Sequence, residues 1–345
     1  MKLLGANLRM IDIRINIMNR LLEARDKKEC VYLYPHVGAD GDALGSSLAL
    51  HLVLKKLHIP SRLLLDEPVS PKLGFLPHLD APEVFAEGRI VEFKTEQKIA
   101  LAVDCADSER TGRRQVIFDS AEVKMALDHH VSSGESGGLR YIDAHAAAAA
   151  EIIADLIADF EQHLNMTLMD RSIATLLMAA LISDTGRFVY SNTTSRSFRT
   201  AAWLMEYEPD IRMITYQLFD LNSQTRLRLT GRIFTDTEFC YDGRLAIALV
   251  DQNLLSEYGA TEHDLEGIVS QLRNVEGVEV SFVLRQHPNG DIKVNIRSSD
   301  GFNASEFARS YGGGGHPKAA GMTLKSQNLQ QTAQQLKQAA LRFLP

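Results

Sequence analysis

Four short segments in the first half of this chain carry carboxylates and imidazoles at spacings that suit divalent-metal chemistry. His36-Val-Gly-Ala-Asp40-Gly-Asp42 follows a short apolar run, and Asp104 ends a second. Asp128-His129-His130 ends a third, and Asp184-Thr185-Gly186 closes a helical stretch. Oxygen and imidazole-nitrogen donors without a thiolate suit manganese, magnesium or a related divalent ion. Carboxylates gathered without a cation repel, and some are then held protonated. A bound metal pair removes that conflict and supplies a catalyst. Taken singly, each signal is ordinary, since an Asp after a strand is usually a helix cap or turn former. All four together, each at the end of an apolar run, point to one site.

The elements that must position these residues alternate. Cys30–Tyr34, Ile59–Leu65, Lys98–Val103 and Val123–Leu127 read as strands, while Leu44–Leu57, Ala144–Phe160 and Ser172–Leu181 have helical spacing. Such alternation implies an α/β fold: a parallel sheet with helices on both faces and ligands at the carboxyl ends of the strands. From about Thr194 to Ile233 the pattern is helical, with Arg and Leu interleaved (Leu218, Leu221, Leu227, Leu229), which suggests a connector. Beyond it, Leu245–Val250, Val278–Arg285 and Asp291–Ser298 read as strands, with Asp264–Leu272 and Asn328–Phe343 as helices. At 345 residues the chain exceeds what one core usually supports. The expected plan is a metal-binding domain over residues 1–193 with an N-terminal amphipathic helix at 1–28, a helical connector at 194–233, and a smaller α/β domain with a mixed sheet at 234–345.

Charge narrows the partners. Lys and Arg total 37 against 44 Asp and Glu, a formal net charge of −7. Proteins that track long nucleic acid carry basic surfaces, because affinity comes largely from neutralising phosphates. This balance favours short or mononucleotide ligands over long duplexes. Cys30, Cys105 and Cys240 form no C-x-x-C, which argues against a disulfide framework or a thiolate zinc site. Cys105 adjoins Asp104, but a small buried hydrophobe explains it. No run approaches the roughly 20 apolar residues of a membrane span, and the first 28 residues lack a signal-peptide pattern. The expectation is a cytoplasmic protein.

On these residues the chain resembles the DHH phosphoesterases, named for the triplet seen here as Asp128-His129-His130. His36, Asp40 and Asp42 match the family's first motif, Asp104 its second, and Asp184 with Thr185, Gly186 and Phe188 its fourth. Far downstream, Gly312 to Gly315 followed by His316-Pro-Lys-Ala-Ala-Gly321 resembles the glycine-rich signature of the DHHA1 domain. Within the family the likeness is greatest to the two-domain oligoribonuclease and phosphoadenosine-phosphate phosphatase group, often called NrnA-like.

The resemblance implies two manganese ions, with magnesium or cobalt as substitutes. One would be held by His36, Asp40 and Asp104, the other by Asp42, Asp104, His129 and Asp184, with Asp104 bridging. Cations about 3.5–4 Å apart acidify a shared water for in-line attack on phosphorus. His130 would donate to a phosphate oxygen, and Asp128 would orient a histidine. Consecutive glycines let a backbone approach an anion closely, so Gly313, Gly314 and Gly315 with His316 would form a binding loop, and Arg297 would be a phosphate-binding arginine. Arg110, Arg113 and Arg114 follow Asp104 by a few residues and could meet substrate phosphates, with Arg110 put forward as the further candidate contact.

Two departures stand out. Ala39 replaces a frequent proline, and Asp143-Ala-His-Ala-Ala-Ala-Ala-Ala-Glu151 offers methyl groups where relatives place hydroxyls. Substrate preference could shift accordingly, with His145 as a replacement contact or simply an exposed histidine at the start of a helix. The expected activity is release of mononucleotides from short RNA, together with removal of phosphate from 3′-phosphoadenosine 5′-phosphate. A phosphodiesterase of cyclic or linear dinucleotides would use the same ligands. A RecJ-like long-strand exonuclease and a pyrophosphatase fit the length, charge and glycine signature less well. A non-catalytic nucleotide sensor would be expected to have lost a ligand, and all six positions are filled. The connector helices could support a homodimer.

Overall fold

The computed structural model describes residues 2–130, 138–325 and 328–344, with side chains from Asp12 onward. The chain divides into two compact units, Met1–Leu221 and Asn222–Pro345.

In the first unit, β1 (Cys30–Pro35), β2 (Ser61–Leu65), β3 (Pro82–Val84), β4 (Gln97–Val103), β5 (Val123–Asp128) and β6 (Leu139–Ile142) form a parallel sheet in the order β3-β2-β1-β4-β5-β6. Its helices are α1 (Lys2–Lys27), α2 (Gly41–Lys56), α3 (Ile90–Glu96), α4 (Gln115–Phe118), α5 (Ala149–Leu164), α6 (Arg171–Asp184), α7 (Ser195–Met205) and α8 (Ile211–Thr215). The central strands β1, β4 and β5 are largely apolar because both faces are covered. Val31, Leu33, Ile99, Leu101 and Leu127 join the core that includes α2, α5 and α6. Tyr32, Tyr34, Ala100 and Ala102 meet Phe93 of α3 and Phe118 of α4 on the opposite face. Strand order reverses between β1 and β4, and at such a switch point the loops leaving the carboxyl ends diverge and open a crevice. His36 follows β1 and Asp104 follows β4, so the topology places both at its mouth.

The packing of α2 on α6 depends on two glycines one turn apart. A Cβ at Gly45 would lie 2.6 Å from the Leu176 carbonyl oxygen, and one at Gly41 would lie 2.7 Å from the Ser183 side chain. Only residues without side chains let the end of α6, and with it Asp184, approach Asp40 and Asp42.

In the second unit, α9 (Gln224–Asp236), α10 (Gln252–Tyr258), α11 (Ile268–Arg273), α12 (Ala304–Arg309) and α13 (Leu329–Ala340) surround a mixed sheet. Its strands are β7 (Glu238–Cys240), β8 (Leu245–Val250), β9 (Val280–Gln286), β10 (Ile292–Ser298), β11 (Gly314–His316) and β12 (Ala319–Leu324), in the order β11-β12-β10-β9-β8-β7. Only β8 and β9 pair in parallel. Ile292, Val294, Ile296 and Met322 pack with Phe307 of α12 and Leu336 of α13. On the other face, Ala246, Ala248 and Val283 pack with Leu229 and Ile233 of α9 and Leu272 of α11.

Several expectations change in detail. The helix expected from Ala144 begins at Ala149, because Asp143 forms a turn in which its Oδ1 accepts from the His145 amide at 3.0 Å, and Ala148 is extended. The glycine run expected as a loop enters an edge strand, β11. Within the stretch read as a connector, α7 and α8 pack against α6 of the first unit, whereas α9 packs against β8 of the second. Among the described residues, no helix is long and apolar enough to cross a membrane.

Candidate metal centre

The six expected ligands converge. Donor atoms of His36, Asp40 and Asp104 lie within 4.8 Å of one another, as do those of Asp42, His129 and Asp184. Asp104 joins the two sets: its Oδ2 is 3.4 Å from His36 Nε2 and its Oδ1 is 3.2 Å from His129 Nε2.

Local structure orients each donor. His36 Nδ1 lies 2.8 Å from the Val37 carbonyl, which can only accept, so Nδ1 carries hydrogen and Nε2 is the ring nitrogen that faces Asp40 and Asp104. Asp40 is the N-cap of α2. Its Oδ1 accepts from the Asp42 and Ala43 amides, both at 3.0 Å, which leaves Oδ2 unused by the cap. Asp42, the second residue of the helix and fully buried, is held from three sides: Ser46 Oγ at 2.8 Å, the Ala149 amide at 2.6 Å and the Ala150 amide at 3.0 Å. Ala148 at the N-cap of α5 has no side chain to satisfy those amides, so Asp42 caps α5 from another helix. The alanine segment therefore serves the site through its backbone rather than through hydroxyls. Asp184 Oδ2 lies 3.2 Å from His129 Nε2. Asn192 Nδ2 donates to the carbonyls of Asp184 and Ala147, both at 3.0 Å, tying the end of α6 to the start of α5.

The electrostatics call for cations. Burial, then the charges of Asp104 and Asp184, push the Asp42 carboxyl well above the usual carboxylate range. Burial also works to raise Asp104, but the facing imidazoles of His129 and His36 outweigh it and keep that carboxylate ionised. Burial would lower His129, yet Asp104, Asp184 and Asp42 raise it, so without a metal a proton compensates the carboxylates there. Even so, Asp104 Oδ1 and His129 Nε2 are buried without a well-formed hydrogen-bond partner, although they lie 3.2 Å apart. Inward-facing donors with unused lone pairs, set among excess negative charge, fit divalent ions.

Asp128 is buried, and its Oδ1 accepts from the His130 amide at 3.0 Å and from His130 Nδ1 at 2.9 Å. The histidine it orients is thus the second of the pair, whose ring is partly exposed. Of the three arginines after Asp104, Arg114 is fully buried and donates to the carbonyls of Leu64, Pro35 and Thr111. It ties down the ends of β1 and β2, and the reading of it as a possible phosphate contact is corrected by that burial. Arg113 is taken up by Asp66. Arg110 is half-buried beside the first motif, its carbonyl accepting from the Val37 amide at 2.9 Å. Cys105 is buried against the Tyr34 carbonyl, and burial pushes its thiol up to about 12, so it is a packing residue.

In the second unit, strand register sets Arg297 opposite Ala319 and His316 opposite the same Ala319. Directly paired residues share a sheet face, so Arg297 and His316 point the same way across an alanine. The glycines are required sterically. A Cβ at Gly313 would lie 2.4 Å from the Gly321 carbonyl oxygen, and one at Gly315 (φ 142°) would lie 2.5 Å from that of Ala319. Gly314 has open space around it. His145 is exposed at its turn, with no contact to the metal-ligand cluster among the hydrogen bonds it makes.

Comparison with known proteins agrees with this architecture. Residues 30–181 match the DHH family N-terminal domain, and residues 242–342 match the DHHA1 domain. A bifunctional oligoribonuclease and PAP phosphatase NrnA from Thermus thermophilus is 33% identical over 309 residues, covering 90% of this chain and 88% of the relative. The protein of the same description from Bacillus subtilis is 27% identical over 299 residues, covering 86% and 90%. An exopolyphosphatase-related protein from Bacteroides fragilis has the same fold, with a TM-score of 0.85 at 21% identity and 96% coverage of both chains.

Proposed function

This chain belongs to the DHH phosphoesterase family and carries a DHHA1 domain, and from that premise we propose that it hydrolyses short oligoribonucleotides to mononucleotides and dephosphorylates 3′-phosphoadenosine 5′-phosphate. The relatives at 27–33% identity that span about nine-tenths of the chain are described as having these two activities. The observation that carries the reading is the pair of three-residue donor sets joined through the two oxygens of Asp104. Two divalent cations, manganese in this proposal, would supply Lewis-acid stabilisation of the phosphate oxygens and lower the pKa of a bound water.

The remaining work falls to the chain. His36, Asp40 and Asp104 would hold one divalent cation, and Asp42, His129 and Asp184, again with Asp104, would hold the other. Ser46 and the Ala149 and Ala150 amides fix Asp42, so its carboxylate needs no reorganisation during the reaction. Asp128 holds His130 by Nδ1, leaving Nε2 as the ring nitrogen that can present a proton to a phosphate oxygen. Arg297 and His316 supply cationic and hydrogen-bonding contacts to phosphate, and Arg110 is the corresponding candidate beside the metal centre.

Purified protein with manganese should release mononucleotides from di- to pentanucleotides and phosphate from 3′-phosphoadenosine 5′-phosphate, and excess chelator should abolish both. Tight binding of these ligands without turnover would replace the hydrolase with a nucleotide-sensing module.

A further inference from the structure

Beyond Arg297 and His316, the same open sheet face presents a side chain whose polar groups are unused. Strand register places Asn295 opposite Gly321, and Gly321 opposite Gly314, one row along from Arg297, Ala319 and His316. Residues two apart on a strand share a face at a spacing of roughly 7 Å, short enough for one nucleotide to touch both rows. Helices α9 and α11 cover this face over β8 and β9, and α11 also reaches β10, where Asn295 and Arg297 stay half-buried and Lys293 is exposed. The Asn295 side chain makes no hydrogen bond with any described residue, while its backbone sits in the ladder between β9 and β12. Its Oδ1 lies 3.9 Å from where a Cβ on Gly321 would sit, and no atom stands within 4 Å of one on Gly314. The floor beside the carboxamide is therefore flat backbone, suited to close approach by a planar group.

We propose that Asn295 is a specificity-determining residue that reads the adenine edge of the nucleotide whose phosphate is taken by Arg297 and His316. This rests on the nucleotide-hydrolase reading above. A carboxamide offers one acceptor and a donor side by side, which matches the N6 amine and N7 of adenine. Guanine presents two acceptors on that edge, which an amide cannot satisfy together, and the pyrimidines present a single polar group. Burying the free amide under a matched base satisfies it, whereas a mismatched base leaves it unpaired.

The test is binding of AMP, and of purine riboside 5′-monophosphate, which lacks the 6-amino group, to the full-length manganese-loaded chain by calorimetry. Asn295→Ala should weaken AMP binding by about tenfold and weaken the analogue, which keeps N7 but not the amine, by less, so that the preference for AMP narrows. Asn295→Asp, which keeps the shape and removes the donor, should lose at least as much. Unchanged thermal unfolding of both variants excludes misfolding. An unchanged ratio of AMP to analogue affinity in Asn295→Ala, or wild type that does not distinguish the two ligands, overturns the assignment. Binding of the monophosphate needs no turnover, so the two readings fail separately. Wild type that prefers AMP but hydrolyses no short RNA removes the activity alone; wild type that hydrolyses short RNA without preferring AMP removes Asn295 alone.

Discussion

Asp104 sits where two donor sets meet, and its backbone is left-handed at φ 62° while its amide donates to the Leu127 carbonyl at 2.9 Å. A non-glycine residue held there is strained by about 1–3 kcal/mol, so the site keeps a carboxylate where the backbone would prefer glycine. Asp104→Ala and Asp104→Gly should both lower kcat/KM by on the order of a thousandfold or more, about 4 kcal/mol. With chelator present, however, the glycine variant should unfold at a higher temperature than the alanine variant, because glycine adopts this conformation without penalty. Equal melting temperatures would remove the strain argument. His129 gives a second prediction. Its imidazole pKa is raised by Asp104, Asp184 and Asp42 against the effect of burial, so at neutral pH it carries a proton that a metal must displace. Apparent manganese affinity should therefore rise with pH by up to about tenfold per unit while that proton is bound. Calorimetry in buffers of different ionisation enthalpy would register the released proton.

At the scale of elements, the approach of α2 to α6 carries Asp184 to the centre. Gly45→Ala places a methyl 2.6 Å from the Leu176 carbonyl oxygen, and relief requires α6 to move. We expect a destabilisation of about 1–3 kcal/mol together with weaker manganese binding, read by thermal unfolding and calorimetry; stability loss at full metal affinity would uncouple the helix contact from the site. Ser46→Ala removes the hydroxyl that holds Asp42 Oδ1 without disturbing that contact, and should cost about 10–100-fold in manganese affinity. Much of this layer was legible in the sequence. The β1, β4, β5, β8 and β10 runs are continuous or alternating apolar stretches whose periodicity is local. Strands β3 and β7 are three residues each and β11 is mostly glycine, too short or too bare to leave a pattern, so they exist only because a neighbouring edge offers hydrogen bonds. The start of α5 was misread for a related reason: alanines favour helix at any position, and the turn at Asp143 decides where the helix begins.

For the molecule as a whole, every expected metal ligand lies in Met1–Leu221 and none in Asn222–Pro345. Metal at about 100 times its Kd stabilises the unit that binds it by about 2.7 kcal/mol, or roughly 5–10 °C for a unit of this size. Calorimetric unfolding should therefore show two transitions, with manganese raising only one; a shift of both would indicate that the units unfold together. The sequence alone determined which atoms were available: six candidate oxygen and nitrogen ligands, each stationed at the end of a strand or helix, and a glycine run followed by His316. That information is local, because a residue type and the element before it are written within a few positions. The tertiary structure decided how those atoms are used. Asp42 meets the α5 amides across 107 and 108 residues, Arg114 reaches Pro35 across 79, and Asn295 shares a face with Arg297 and His316 only through β-strand register. Such pairings arise when packing brings distant segments into hydrogen-bond range, and no local pattern in the chain encodes them.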